Sequence, residues 1–125
     1  MSKKIITTEN APAAIGPYSQ AVQYGDTIYV SGQLPLNPET KKMEDDVSAQ
    51  TRQSMNNIKA ILEAAGSSME NVIRCGIFVT DLGDFATINE VYASFFTGDY
   101  PARATVQVAA LPLGAKVEID AIAAA

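Results

Sequence analysis

An amphipathic segment over residues 45–65, flanked on both sides by runs rich in β-forming residues, most constrains what this chain can fold into. Asp45 and Asp46 stand where helix N-termini favour acids, and Gly66 follows where helices commonly end. Residues at helical spacing form one stripe: Val47, Thr51, Met55, Ile58, Leu62 and Ala65. The spacing predicts a long helix. We expect its polar face to be solvated, which comprises Gln50, Arg52, Gln53, Asn56, Asn57, Lys59 and Glu63.

Most of the remaining chain is typical of strands. The Gly25-Asp26 pair predicts a hairpin turn, and residues 84–96 have the spacing of a second, shorter helix. The predicted strands cover residues 21–24, 27–31, 72–80, 103–109 and 116–123. The resulting order, β-β(-β)-α-β-α-β-β, indicates an α+β fold in which both helices cover one face of a single mixed sheet. We expect one domain over residues 1–125.

Alternation within the strands predicts which side chains the helices cover. In the last strand Glu118 falls on the uncovered face. The same reasoning places Arg103 and Thr105 on that face and Ala104 beneath the helices. The residues assigned to one face of the middle strand are Ile73, Cys75, Ile77 and Val79. Two helices cover only one side of a sheet, so a half-apolar far side predicts a subunit interface with sites between subunits.

Arg103 and Glu118 are charged residues within runs that otherwise look buried. A buried charge is costly unless it is paired or used. The chain contains no histidine, so catalysis has to use carboxylates, amides, hydroxyls, water and the backbone. A guanidinium suits a planar carboxylate, and a glutamate suits the activation of water. Each residue could instead belong to an ordinary interface ion pair.

Composition excludes several classes of function. Fourteen acids against nine bases give a net charge of −5, which disfavours nucleic-acid binding. One cysteine and no histidine leave no zinc site, and the single cysteine favours a reducing compartment. The apolar pair Ile5-Ile6 is too short for a signal peptide or a membrane span. We therefore expect a cytoplasmic protein without a membrane partner.

Three separated motifs occur in a recognisable order: residues 16–21 (GPYSQA), residues 31–35 (SGQLP), and residues 101–103 (PAR) followed by 117–119 (VEI). Together they resemble the Rid (YjgF/RidA) family across essentially the whole chain. The resemblance implies a chorismate-mutase-like (bacillus type) fold and a homotrimer with three inter-subunit clefts. It also implies hydrolysis of 2-iminobutanoate and 2-iminopropanoate to 2-keto acids and ammonia, without a metal or organic cofactor.

The resemblance implies a role for each matching residue. Arg103 corresponds to the arginine that binds the substrate carboxylate, and Glu118 to the glutamate near the attacking water. The other residues that match the family's cleft are Tyr18, Ser31, the Gly32 backbone and Asn89. Thr105 stands where many deaminases have cysteine, so only backbone contacts would be kept there. Cys75 lies in another strand and does not replace that thiol.

Other interpretations stay open at the level of sequence. Tyr18 could cap the edge of the core, Ser31 could serve turn geometry, and Asn89 could satisfy nearby backbone groups. The same cleft could bind a keto acid as a non-enzymatic regulatory module, which would need Arg103 but not Glu118. A ribonuclease is a third candidate, which the acidic charge and the lack of histidine disfavour.

Overall fold

A computed structural model describes residues 2–125, which form one mixed six-stranded sheet and two helices. The strands are β1 (Lys4–Ile6), β2 (Ala21–Tyr24), β3 (Thr27–Gln33), β4 (Val72–Val79), β5 (Ala102–Gln107) and β6 (Val117–Ala124). The helices are α1 (Val47–Ala64) and α2 (Phe85–Ala93). The sheet order is β1-β2-β3-β6-β4-β5, and only β4 and β5 pair in parallel. The predicted α+β fold is confirmed, with the third early strand preceding the hairpin. No helix within residues 2–125 is long and apolar enough to cross a membrane.

Helix α1 begins and ends where its sequence predicts. The Asp46 side chain accepts a hydrogen bond from the Ala49 backbone N–H at 3.1 Å, which caps the first turn. Gly66 adopts a φ of +81° just beyond the last turn, a conformation that glycine reaches without steric cost. The apolar stripe of α1 packs on β3 and β6, so the core lies between the helices and one sheet face.

The prediction that the polar face of α1 is solvated is wrong for two amides. Asn57 is 1% exposed and donates from Nδ2 to the carbonyl oxygens of Leu34 and Leu36, at 3.1 and 3.0 Å. Gln50 is also buried and accepts from the Lys116 backbone N–H at 2.8 Å. These two amides therefore satisfy backbone groups in the loops that follow β3 and precede β6.

The predicted faces of β3 and β6 are confirmed, but that of β4 is wrong at Ile73. The register between β4 and β6 shifts between Val72 and Arg74, so the strand bulges at Ile73. Val72, before the bulge, is buried, and Ile73, within it, is 53% exposed, because the extra residue interrupts the alternation of faces. The register then brings Cys75, Ile77 and Val79 beneath the helices as predicted.

The predicted orientation of β5 is also wrong. Parallel pairing sets Arg103 beside Cys75 and Thr105 beside Ile77, both of which face the helices. Arg103 and Thr105 therefore face the helix layer, whereas Ala104 and Val106 are exposed on the open face. Because β5 is an edge strand that α2 alone contacts through Arg103, this side chain stays half-buried on the covered side.

Candidate functional site

The predicted site residues separate into two clefts of similar size on the surface of the chain. The arginine cleft, about 360 Å³, is lined by Asn89, Tyr92, Ala93, Tyr100, Pro101 and Arg103. The glutamate cleft, about 380 Å³, contains Tyr18, Ser31, Gly32 and Glu118 among mainly apolar neighbours such as Ile15, Leu34 and Pro112. Each cleft contains part of the predicted set, and neither contains both charged residues.

Helix α2 holds the guanidinium of the arginine cleft in place. Arg103 Nη1 donates to Asn89 Oδ1 at 2.7 Å. Its Cζ lies 5.1 Å from the centroid of the Tyr92 ring and 5.5 Å from that of Phe85, within the range of cation–π contacts. The predicted neighbourhood of Arg103 and Asn89 is therefore present within one chain.

Every group that holds Arg103 is neutral. No carboxylate within residues 2–125 lies close enough to form a salt bridge with it. A guanidinium has five N–H donors, and the bond to Asn89 uses one of them. A half-buried cation of this kind is suited to an anion that arrives from solution, and a carboxylate matches its planar geometry.

Thr105 and Cys75 lie beside the arginine cleft without supplying a reactive group. The Thr105 Oγ1 atom is buried and has no hydrogen-bond partner among the described residues. Burial raises the pKa of the Cys75 thiol to about 11, so this thiol stays protonated and inert near neutral pH. The expectation that Cys75 does not substitute for the family's cysteine agrees with this environment.

A close approach between β3 and β6 shapes the glutamate cleft. A Cβ atom at position 32 would lie 2.7 Å from Glu118 Oε2, so the carboxylate occupies the space that only glycine leaves open. The neighbouring pair repeats the arrangement, because a Cβ at position 76 would lie 2.5 Å from Asp120 Oδ1. That oxygen accepts a hydrogen bond from the Gly76 backbone N–H at 2.8 Å. Two carboxylates therefore lie on the open face, each over a glycine.

Burial of the Glu118 side chain, and secondarily the charge of Asp120, raises the pKa of the Glu118 carboxyl above its usual value. The two acids alternate along β6 and so share the open face of the sheet. A carboxylate with a raised pKa is a better base near neutrality than an exposed one. This property agrees with the predicted role of Glu118, and Asp120 is a contributor that the sequence did not single out.

The raised pKa of Glu118 predicts a dependence of stability on pH. Its folded-state pKa lies above the unfolded value, so its contribution is present below the unfolded pKa and is lost as pH rises through the folded pKa. We expect Glu118→Gln to melt at a higher temperature than wild type at pH 7, and at a similar temperature at pH 4. The exposed Glu63→Gln variant serves as the control. A lower melting temperature for Glu118→Gln at pH 7 contradicts the prediction.

Tyr18 and Ser31 take different positions in the glutamate cleft. Ser31 Oγ donates to the Ser19 carbonyl oxygen at 2.6 Å, which fixes the 16–20 loop against β3. Its hydroxyl is thus already used in the turn, as one interpretation of the sequence proposed. The Tyr18 ring is 48% exposed, and its hydroxyl accepts only a long, 3.4 Å bond from the Ile15 N–H. Tyr18 is therefore available to a ligand or to a second subunit.

Arg103 and Glu118 are on opposite faces of the sheet. Strand β4 lies between β5 and β6, which separates the two strands by about 10 Å, and the sheet itself lies between the side chains. Glu118 pairs with Phe78, and Phe78 pairs with Val106, three residues beyond Arg103. One small substrate cannot contact both groups within a single chain.

A third surface groove, about 600 Å³, lies elsewhere, along the outer side of α1. Its charged residues are of both signs, namely Arg52, Lys59, Glu63 and Glu70, and it contains none of the predicted site residues. We assign it no role.

Phe85 and Tyr92 are two residues beside Arg103 that the sequence analysis assigned to an apolar core stripe. Their spacing from Asn89 already places all three residues on one face of α2.

Known proteins resemble this chain over nearly its whole length. The model of the endoribonuclease L-PSP family matches residues 8–125. Protein DfrA of Myxococcus xanthus is 59% identical and covers 98% of this chain and 96% of its own length. The 2-iminobutanoate/2-iminopropanoate deaminase of Escherichia coli K12 is 54% identical, with 96% of each chain covered. The crystal structure of E. coli TdcF with bound serine is 51% identical, with a TM-score of 0.95 and 98% of each chain covered.

Proposed function

The chain belongs to the endoribonuclease L-PSP family, which includes the Rid (YjgF/RidA) proteins, and we propose that it hydrolyses reactive 2-imino acids to 2-keto acids and ammonia. The E. coli relative that is 54% identical is named as a deaminase of 2-iminobutanoate and 2-iminopropanoate, which are the substrates that we propose here. The structural observation that most supports the proposal is the Arg103 guanidinium, which is held only by neutral groups. Serine in the TdcF structure is likewise a small carboxylate ligand.

In the proposed reaction, Arg103 binds the substrate carboxylate through two parallel charge-assisted hydrogen bonds. Glu118 removes a proton from water while the water oxygen forms a bond to C2 of the protonated imine. The C–N double bond becomes single, and the proton returns through Glu118 to the amino group. Ammonia then leaves as the hydroxyl on C2 passes its proton to the Glu118 carboxylate and becomes the ketone, and Glu118 afterwards releases this proton to solvent. Asn89 fixes Arg103, and the raised pKa of Glu118 suits it to both proton transfers.

We propose that the complete site forms between copies of the chain in a homotrimer. In a cyclic assembly, the arginine cleft of one copy would face the glutamate cleft of the next, which brings the two charged groups together. The open sheet face supports such an interface, because Tyr29 and Val106 are 52% and 46% exposed there, beside Phe78 and Ile122. Apolar and aromatic side chains in this arrangement are typical of subunit interfaces.

Other properties remain predictions under this proposal. We expect the protein to be cytoplasmic, where enzymes that use pyridoxal phosphate release imines. We also expect no nucleic-acid ligand, in spite of the family's description, because the net charge is −5 and no histidine is available as an acid–base pair. RNA binding that weakens steeply with added salt would contradict this expectation.

The test couples threonine dehydratase to semicarbazide, which traps the imine that the dehydratase releases. We expect catalytic amounts of the protein to suppress the trapped adduct, and the amount of free 2-oxobutanoate to rise by as much as the adduct falls. Boiled protein is the control for non-specific quenching. If trapping is unchanged, yet 2-oxobutanoate raises the melting temperature of the wild type, the chain is a metabolite-binding module and the enzymatic proposal is wrong.

A further inference from the structure

The guanidinium of Arg103 is held between two aromatic rings that come from one face of α2. Phe85, Asn89 and Tyr92 stand at positions i, i+4 and i+7, which places all three on the same side of the helix. Arg103 Cζ lies 5.1 Å from the Tyr92 ring centroid and 5.5 Å from the Phe85 ring centroid. Asn89 accepts its Nη1–H at 2.7 Å. The two rings, which we call the aromatic clamp, are therefore both held by the same short helix.

We propose that Tyr92 is a positioning residue for the reaction, which acts through Arg103 by holding the guanidinium plane open to the substrate carboxylate. The proposal rests on the proposed function, because it assigns Arg103 the carboxylate. Tyr92 does not itself contact substrate in this scheme, since its hydroxyl is buried. Its contribution is the face of its ring, which attracts a cation but does not compete as a hydrogen-bond acceptor for the guanidinium N–H groups.

The Tyr92 ring is more tightly held than the Phe85 ring. Tyr92 is 4% exposed, whereas Phe85 is 39% exposed. The Tyr92 ring packs on Phe96 with centroids 5.0 Å apart and the planes inclined at 54°. Its hydroxyl lies near the Cys75 thiol, and burial raises the pKa of Tyr92, so the ring carries no negative charge near neutral pH. A rigid, neutral ring can hold Arg103 in one orientation before substrate arrives.

The substrate carboxylate takes the place of an acidic partner for Arg103. An arginine that is already oriented binds it more tightly, because a freely rotating side chain has to lose rotamer freedom on binding. Cation–π contacts in partly buried sites change an equilibrium by roughly fivefold to thirtyfold. The carboxylate is present in both the bound substrate and the transition state. Loss of the ring is therefore expected to raise KM and leave kcat nearly unchanged, which is the signature of lost uniform binding.

The experiment compares Tyr92→Leu, Tyr92→Phe and a control, Val91→Ala, in the assembled protein. Calorimetry measures the Kd for 2-oxobutanoate, and the coupled trapping assay measures KM and kcat. We expect Tyr92→Leu to raise both Kd and KM by about tenfold. Tyr92→Phe retains the ring and should recover most of the affinity. Val91 is a buried residue of α2 that lines neither cleft, so its truncation should lower the melting temperature without changing Kd.

The possible outcomes separate this inference from the proposed function. If wild type binds 2-oxobutanoate and Tyr92→Leu binds it equally well, the positioning role is overturned. If Tyr92→Leu and Val91→Ala raise Kd equally, the effect is one of stability and the role is again overturned. Should Tyr92→Leu fail to fold, Phe85→Leu removes the exposed ring of the clamp and is expected to raise Kd about fivefold. If wild type neither binds nor hydrolyses, the proposed function fails first.

Discussion

Replacing Arg103 with alanine is expected to lower kcat/KM for 2-imino acids by about a thousandfold, because two charge-assisted hydrogen bonds to the substrate carboxylate are lost. Arg103 is the half-buried cation that α2 holds with Asn89 and two rings, and it has no acid partner within residues 2–125. Its removal leaves no carboxylate without an ion-pair partner, so we expect the variant to fold. The trapping assay measures the activity, and thermal melting verifies the fold.

Lysine at the same position separates charge from geometry. Arg103→Lys keeps the positive charge but loses the planar fork that fits a carboxylate, so we expect a loss of roughly tenfold to a hundredfold. Arg52→Ala, on the exposed side of α1, is the matched control and should behave as wild type. An Arg103→Ala variant within about threefold of wild type would show that the carboxylate binds elsewhere.

Glu118→Gln is expected to lower kcat by about a hundredfold to a thousandfold with little change in KM, because a neutral amide cannot take the proton from water. The amide is nearly the same size as the carboxylate and fits the space over Gly32. Single-turnover kinetics with pre-formed imine measure the chemical step directly. Asp120→Asn, which keeps an acceptor for the Gly76 N–H, is the control and should lose far less activity.

Mixing the two inactive variants tests whether the site lies between subunits. In a trimeric ring that contains both Arg103→Ala and Glu118→Gln chains, one cleft of three combines the native arginine of one chain with the native glutamate of its neighbour. Random reassembly from denaturant is then expected to restore roughly a quarter of wild-type activity. Differently tagged chains that co-purify without any recovery would contradict an inter-subunit site.

The parts of the fold that the sequence predicts correctly are those in which one face is strongly buried. Strand β6 alternates without interruption between buried and partly exposed side chains, so its period of two identifies both faces. Strand β5 has a similar alternation, yet the prediction is wrong because β5 is an edge strand whose small residues, Ala104 and Val106, stay exposed. Its orientation depends on pairing with β4, which no local pattern encodes. The bulge at Ile73 is likewise a property of the β4–β6 register.

The sequence identifies the chemistry of the candidate site better than its arrangement. Arg103 and Glu118 stand out as charges within apolar runs, and the motifs around Tyr18 and Gly32 are local. Their division between two clefts follows from the strand order and is invisible in the chain itself. Tyr92 has a stripe position typical of a core residue, so its contact with Arg103 appears only when β5 and α2 are placed together.

Gly32 and Gly76, which lie beneath Glu118 and Asp120 on the open face, restrict which residues can replace them during evolution. Neither glycine is in the left-handed region, so the backbone would accept alanine at both. The restriction comes from the carboxylates, which have to move aside before a Cβ atom fits. Position 76 can therefore accept other residues once Asp120 is replaced by a residue with a shorter side chain. Alanine at position 32 requires the Glu118 carboxylate to turn away from its present place, so glycine is favoured there in a lineage that keeps the acid where it is.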